Sequence, residues 1–248
     1  MYVKTGLVLG GILACASAWA DQSAPITMHY HERKPLHYSD GNGNVIGILA
    51  APIERSFAKA GIPFVWRQTP MNRIMATIKA NDGPDCIAGV YTSAERESMA
   101  RLSLPIYRDK GLVMLARADF PAPATVSARE LLARPQTRLL LKQGYVYGSY
   151  LDPLIAKMAP TQVQRVTDEI DSMIRMLRAG AADIIVTTEE EAETYVNPEV
   201  DSVRLLHLSD VTAREYRYIV CSKRVPQETM DKLNAAIATL PVDGSRKP

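Results

Sequence analysis

The sequence lacks a surplus of charge of either sign. Its 248 residues include 29 Lys and Arg against 27 Asp and Glu, a formal net charge of +2. Proteins that bind a nucleic-acid backbone present a basic surface, so we expect no nucleic-acid partner. Phenylalanine and tryptophan are also few, with three Phe and two Trp beside eleven Tyr. The chain is nevertheless 47% hydrophobic, which is typical of a globular protein and excludes a disordered one.

Familiar catalytic motifs are absent as well. The sequence contains no Gly-x-Ser-x-Gly elbow, Walker loop, Cys-x-x-Cys or His-Glu-x-x-His, so no motif supports a hydrolase, a nucleotide site or a zinc protease. His29 and His31 would share one face of a strand, where His37 or Glu32 would complete a metal site. Strand placement accounts for these histidines without a metal. We therefore predict neither a metal nor a cofactor.

Long apolar runs are scarce, and the one at the start of the chain has a specific form. Lys4 precedes an apolar run over residues 6–16, and Ala18-Trp19-Ala20 has the small-x-small form of a signal-peptidase site. Because about eleven residues are too few to span a bilayer, we interpret residues 1–20 as a cleaved export signal and expect a soluble periplasmic protein. The competing interpretation is a lipoprotein anchored at Cys15, since Ile12-Leu13-Ala14-Cys15 resembles a lipobox.

Cysteine is scarce too. Of the three cysteines, only Cys86 and Cys221 follow the predicted signal. An even pair in an oxidising compartment favours one disulfide. Two separate buried thiols are the alternative.

Strand and helix patterns alternate through the rest of the chain. They occur in two successive blocks, and such alternation is typical of parallel sheets covered by helices, so we predict an α/β protein with two lobes. We also predict that Thr167 caps a helix whose apolar face begins with Ile170. Predicted strands are 26–30, 64–67, 86–91, 139–141, 184–186 and 216–221, and predicted helices are 52–60, 71–80, 127–133, 151–158, 168–179 and 227–240.

Three stretches carry a resemblance to a known family. Residues 45–49 follow an Asp-Gly-Asn-Gly turn, residues 79–85 form a second match, and residues 89–107 form the third. In the third, a Thr-x-x-x-Arg turn ending at Arg96 leads into a Ser-x-Pro-x-Tyr segment ending at Tyr107. Through these stretches, residues 26–240 resemble the family 3 extracellular solute-binding proteins, periplasmic receptors for polar amino acids that serve ABC importers.

The resemblance implies a type II periplasmic binding fold, with two lobes around a cleft and hinge crossings between them. The expected boundaries are 21–107 and 216–248 for the first lobe and 108–215 for the second. The strand at 216–221 should return antiparallel beside the third strand, which brings Cys221 next to Cys86 and supports their disulfide. The implied partners are a small polar ligand and an ABC permease in the inner membrane, and we expect a monomer.

The resemblance also suggests where a ligand binds. Arg96 stands where the family places the arginine that binds the ligand carboxylate through two parallel hydrogen bonds. The alternative is a solvated arginine beside Glu95 and Glu97. The full set of predicted ligand-binding residues is Arg96, Tyr91, Thr92, Tyr30, Glu32, Arg73, Tyr107, Tyr145, Tyr147, Thr188 and Glu189.

Other positions depart from the family pattern. Tyr91 replaces a small hydroxyl residue, Tyr145 lies in a loop that is usually Gly-Thr-Thr, and Thr188 stands where an aspartate commonly binds the ligand ammonium. Glu189 is a possible substitute for that aspartate, but with its two following glutamates it also fits a solvated acidic helix start. We therefore expect a carboxylate-bearing or aromatic ligand that stacks on the tyrosines, and an ordinary amino acid is put in doubt.

These inferences predict a binding protein, not an enzyme, that closes around its ligand and delivers it to an importer. Two alternatives remain open. The same scaffold serves periplasmic cyclohexadienyl dehydratases, in which Glu189 or Glu32 would act as the general acid. A receptor that presents its closed form to a membrane sensor would have the same ligand site.

Overall fold

Two six-stranded sheets organise the computed structural model, which describes residues 24–196, 203–212 and 214–242. The predicted export signal and the alternative lipobox at Cys15 lie outside the described residues. None of the described helices is long and apolar enough to cross a membrane.

The strands and helices follow the predicted alternation. The strands are β1 (Ile26–Tyr30), β2 (Tyr38–Ser39), β3 (Val45–Ile46), β4 (Phe64–Gln68), β5 (Asp85–Val90), β6 (Arg101–Leu102), β7 (Tyr107–Arg108), β8 (Leu112–Arg117), β9 (Thr125–Val126), β10 (Leu139–Lys142), β11 (Val163–Val166), β12 (Ile184–Thr188), β13 (Val203–Leu208) and β14 (Tyr216–Cys221). The helices are α1 (Ala50–Ala60), α2 (Met71–Ala80), α3 (Ala94–Met99), α4 (Ala128–Leu132), α5 (Gly148–Ile155), α6 (Ile170–Arg178), α7 (Glu189–Tyr195) and α8 (Gln227–Ile237).

Each sheet forms the centre of one lobe. The first has the order β4-β1-β5-β14-β6, with β7 also paired to β14, and the second has the order β11-β10-β12-β8-β13-β9. In the first sheet β1 is parallel to β4 and β5, whereas β14 is antiparallel to its neighbours. The chain thus leaves the first sheet after β7, builds the second and returns as β14. The residue boundaries assigned to the lobes from sequence stay predictions.

The returning strand joins the first sheet in the predicted register. Cys221 of β14 lies opposite Cys86 of β5, and a disulfide joins them with their Cα atoms 4.0 Å apart. The register shifts between Tyr218 and Val220, where Gly89 of β5 has φ +55°. A Cβ on Gly89 would lie 2.4 Å from Leu49 Cδ1, so the irregularity depends on a residue without a side chain.

Amphipathic helices cover the sheets with the apolar faces that their spacing predicts. In α6, Ile170, Met173, Ile174 and Leu177 are buried. The predicted cap of this helix is wrong by two residues, because Glu169 holds the extended N-cap conformation and Thr167 precedes it. The carboxylate of Glu169 forms an ion pair with Lys142, which holds the helix start against the end of β10.

Candidate functional site

A cavity of about 40 Å³ lies between the lobes. Its lining includes residues at or just after the carboxyl ends of parallel strands: His31 after β1, Tyr91 after β5, Lys142 at the end of β10 and Thr188 at the end of β12. Loops at the carboxyl ends of parallel strands are the usual ligand sites of α/β folds. The fold therefore brings residues from both lobes to one small space.

Arg96 enters this cavity from α3 of the first lobe. Ser93 caps the helix by accepting a hydrogen bond from the Arg96 amide. The arginine is only 3% exposed, and its guanidinium donates to the carbonyl oxygens of Tyr91 at 2.5 Å and of Gly144, in the second lobe, at 3.2 Å. Arg96 is therefore a buried cation in the cleft, and the alternative of a solvated arginine is wrong.

The ion pairs of the described residues do not include Arg96. Within the described residues it forms no ion pair with a carboxylate. Burial lowers the pKa of Arg96 to about 10, although the nearby carboxylates of Glu95 and Asp152 favour its charged form. The guanidinium consequently stays protonated at neutral pH, and its remaining N–H groups are available to an anion.

A second arginine joins the lobes through a salt bridge. Arg33 follows β1, and its Nε and Nη2 atoms donate to Oε1 and Oε2 of Glu191 in α7, each at 2.7 Å. Thr187 adds a hydroxyl donor to Oε2 at 2.9 Å. Burial opposes the charge on Glu191, but the Arg33 guanidinium and these hydrogen bonds outweigh it and lower the pKa of Glu191 to about 2. Both oxygens of this carboxylate are thus engaged.

The start of α7 is not the solvated acidic face that its sequence suggested. Glu190 and Glu191 are buried, and Thr188 forms a capping box with Glu191. Oε1 of Glu190 accepts hydrogen bonds from the hydroxyl of Tyr107 at 2.9 Å and the amide of Lys110 at 2.8 Å. Tyr107 therefore holds α7 against the segment where the chain crosses between the lobes, and it does not line the cavity.

Two neutral histidines lie on the first-lobe side. Nε2 of His31 lies 2.5 Å from the hydroxyl of Tyr145, across the cleft, and Nδ1 of His31 has no hydrogen-bond partner. His37 donates from Nδ1 to the His31 carbonyl at 2.8 Å. Burial lowers the pKa of His31 well below its ordinary value and that of His37 to about 3. Both rings are therefore uncharged at neutral pH.

Two further ion pairs complete the polar lining. Lys142 pairs with Glu169. Arg217, on β14, donates to Oδ1 and Oδ2 of Asp109 at 2.7 and 2.8 Å, and the hydroxyl of Tyr91 donates to the same carboxylate. A cation also lies over a ring in each lobe: the Arg217 guanidinium is 4.5 Å from the Tyr91 centroid, and the Arg33 guanidinium is 4.8 Å from the Tyr145 centroid.

Of the residues predicted to bind ligand, five line the cavity: Arg96, Tyr91, Tyr145, Tyr147 and Thr188. Glu32 and Arg73 instead line a wider adjoining groove of about 600 Å³. Tyr30 packs in the first-lobe core against Trp66, and the hydroxyl of Thr92 donates to Glu97 at 2.6 Å. Glu189 lies outside the cavity lining.

Sequence reasoning missed the ion pairs of the cleft. For Arg33 and Glu191 the sequence contains a local pattern that points to each residue. Arg33 lies three residues beyond a predicted strand end, and Glu191 completes the Thr-x-x-Glu pattern of a capping box that starts at Thr188. Asp109 and Arg217 carry none, because their pairing depends on the return of β14 to the first sheet.

The histidines considered as metal ligands have other partners. His29 lies between Thr69 Oγ1 and Asp85 Oδ1, each at 2.9 Å from a ring nitrogen. Within the residues that the structure describes, no group of three or more His, Cys, Asp or Glu side chains has the arrangement of a metal site.

Three solved structures with similar folds are of amino-acid-binding proteins. The arginine-bound truncated ArgBP from T. maritima superposes with a TM-score of 0.69 at 17% identity, over 88% of this chain and 96% of its own. ArtJ, the arginine-, lysine-, histidine-binding protein of Geobacillus stearothermophilus, gives 0.71 at 16% identity, over 88% and 89%. The ancestral amino acid-binding protein AncCDT-1, a precursor of cyclohexadienyl dehydratase, gives 0.68 at 16% identity, over 87% and 88%. These likenesses establish the two-lobe α/β periplasmic binding fold.

Sequence comparison gives the family. The Virulence sensor protein BvgS of Bordetella pertussis is 25% identical over 199 residues, which cover 79% of this chain. The matched region spans only 15% of the length of that curated relative. The profile of the bacterial extracellular solute-binding proteins, family 3, matches residues 26–247, and the chain belongs to that family.

Proposed function

We propose that this protein is a periplasmic solute-binding protein that closes around a small carboxylate-bearing ligand and delivers it to an ABC importer. The observation that carries the proposal is Arg96, a buried guanidinium between the lobes that forms no ion pair with a carboxylate of the described chain. A planar carboxylate fits a guanidinium through charge-assisted hydrogen bonds. The ligand supplies the missing anion.

A ligand that contacts both lobes stabilises the closed arrangement of the cleft. Arg96 comes from the first lobe, while Tyr145 and Thr188 come from the second. A ligand shifts a conformational equilibrium only by its difference in affinity for the two states. A carboxylate that bonds to Arg96 and to the second lobe binds the closed state more tightly than the open one.

The disulfide supports an extracytoplasmic location. Disulfides persist in oxidising compartments such as the periplasm, and Cys86 and Cys221 are bonded. Family membership and the signal-like residues 1–20 support the same location. Delivery to a permease follows the family pattern and is part of the proposal.

A ligand-sensing receptor is the second candidate, because the sequence match to BvgS is a match to a sensor protein. Ligand binding is common to both candidates. Co-purification with a permease from detergent-solubilised membranes supports transport, whereas co-purification with a membrane signalling protein supports sensing.

A thermal-shift panel of carboxylates, amino acids, sugars and polyamines tests ligand binding. At 100 times its dissociation constant a ligand stabilises the folded protein by about 2.7 kcal/mol, which raises Tm by about 5 to 10 °C in a domain of this size. We expect such a shift with a carboxylate-bearing compound that is recovered unconsumed.

Arg96→Ala should abolish that shift, and Arg55→Ala, on the exposed face of α1, should retain it. No shift with any carboxylate, or an equal shift in Arg96→Ala, would contradict the proposal. Consumption of the compound would instead assign an enzymatic activity.

A further inference from the structure

If the proposed function holds, the charges of the cleft indicate the chemical class of the ligand. Four cations line or adjoin the cavity: Arg33, Arg96, Lys142 and Arg217. Three of them, Arg33, Lys142 and Arg217, have the carboxylate partners Glu191, Glu169 and Asp109 respectively. Arg96 is the cation of this group that forms no direct ion pair with a carboxylate of the described residues, so the space is matched to a ligand with a single negative charge.

The same pairing engages both carboxylates that line the cavity within the described residues. Glu191 is bound by Arg33 through both oxygens and also accepts from Thr187. Glu169, the other carboxylate of the lining, is paired with Lys142. A ligand ammonium placed here would lose its water without gaining an unpaired anion, and it would lie among buried cations.

Hydrogen-bond capacity in the cavity favours an anion as well. Arg96 uses two N–H groups on carbonyl oxygens and has others to donate. Nδ1 of His31 is buried and unpartnered. We assign the hydroxyl hydrogen of Tyr145 to the bond with His31 Nε2, so the neutral imidazole carries its own proton on Nδ1.

The size of the cavity limits the ligand. Its volume is about 40 Å³, so a ligand held within it is small. Cations also lie over the Tyr91 and Tyr145 rings, which leaves less aromatic surface for a ligand to stack on.

From these observations we propose that the cleft selects small monocarboxylates that carry no ammonium group. The carboxylate binds Arg96, and the short apolar remainder of the ligand lies beside Met71 and Val186, which also line the cavity. The ion pairs of Glu191 and Glu169 act as the specificity determinants, because they neutralise the anions that an amino acid would need.

Calorimetric titration with three matched pairs tests the proposal: acetate with glycine, propanoate with alanine, and butanoate with 2-aminobutanoate. The two members of each pair differ by one ammonium group. We expect at least one acid to bind at least tenfold more tightly than its amino partner. We also expect affinity to fall once the carbon chain of the acid is too long for the cavity.

Arg96→Ala separates the failure of the ligand class from the failure of the carboxylate site. If an amino acid binds as tightly as its acid partner and the variant loses that binding, the ammonium-free class is wrong while the proposed carboxylate site stands. If no member of the panel and no larger carboxylate binds, or if binding survives in Arg96→Ala, both proposals fail.

Discussion

Single buried charges determine how the cleft behaves. Arg33 and Glu191 form a two-bond salt bridge between the lobes, with side chains 11% and 3% exposed. Removing one partner of such a pair leaves the other charge buried and uncompensated, which typically costs about 3 to 5 kcal/mol. An exposed pair that involves the same helix provides the matched comparison, since Lys110 and Glu193 are about half exposed and such pairs contribute about 0 to 1 kcal/mol.

We therefore expect Glu191→Gln to lower the free energy of unfolding of the ligand-bound, closed protein at pH 7 by about 3 to 5 kcal/mol. Glu193→Gln should lower it by less than about 1 kcal/mol. Urea denaturation of both variants beside the wild type measures the difference. Equal effects of the two substitutions would show that the cross-cleft pair is not buried in solution.

The same carboxylate gives stability a defined pH dependence. The pKa of Glu191 is about 2 in the folded protein, below its ordinary value of 4.5. A carboxyl with a depressed folded pKa contributes stability that is fully present above its unfolded pKa and is lost as pH falls toward the folded value. The difference in stability between wild type and Glu191→Gln should shrink between about pH 4.5 and pH 2. A difference independent of pH over that range would contradict this assignment.

Among the structural elements, the β5–β14 pair ties the end of the described chain to the first sheet. The disulfide between Cys86 and Cys221 closes a loop with a sequence separation of 135 residues. Loss of a native disulfide typically costs about 2 to 5 kcal/mol, chiefly because the unfolded chain regains conformational freedom.

The double variant Cys86→Ala with Cys221→Ala should accordingly lose about 2 to 5 kcal/mol of its free energy of unfolding. It should therefore unfold at a lower urea concentration than the wild type. Dithiothreitol should destabilise the wild type to the same level and leave the variant unchanged. Peptide mapping without reductant provides the direct control. Two free thiols in the mature protein would contradict the register of β5 and β14.

The elements also show how far the sequence alone leads. β1 and β14 occupy the predicted residues, because short apolar runs bounded by turn residues are typical of buried strands. β11 was missed, since its Val-Gln-Arg-Val sequence forms an edge strand whose middle residues are exposed. Periodicity does not detect a strand whose pairing comes from one neighbour.

Less of the candidate site than of the fold was predictable from the sequence. Arg96 followed from a family motif, and the structure places it in the cavity, whereas Thr92 and Tyr107 share that motif and lie outside it. The pairing of Arg33 with Glu191 joins residues 158 positions apart. Such a contact arises only when the two lobes meet, which no local pattern encodes.

At the level of the whole molecule, the charge on Arg96 couples ligand binding to closure. The closed arrangement buries this cation without a carboxylate partner among the described residues, and opening of the cleft returns it to water. Burial of an uncompensated charge is costly, so the protein without ligand should populate an open arrangement. A bound carboxylate removes that cost and shifts the population toward closure.

Small-angle X-ray scattering tests this coupling most directly. The ligand is the carboxylate that gives the largest thermal shift, and the radius of gyration is followed as its concentration rises. We predict that the radius falls in the wild type with the same midpoint as calorimetric binding, and that it does not respond in Arg96→Ala. A wild-type radius that stays constant at a saturating concentration of a bound carboxylate would contradict closure around the ligand.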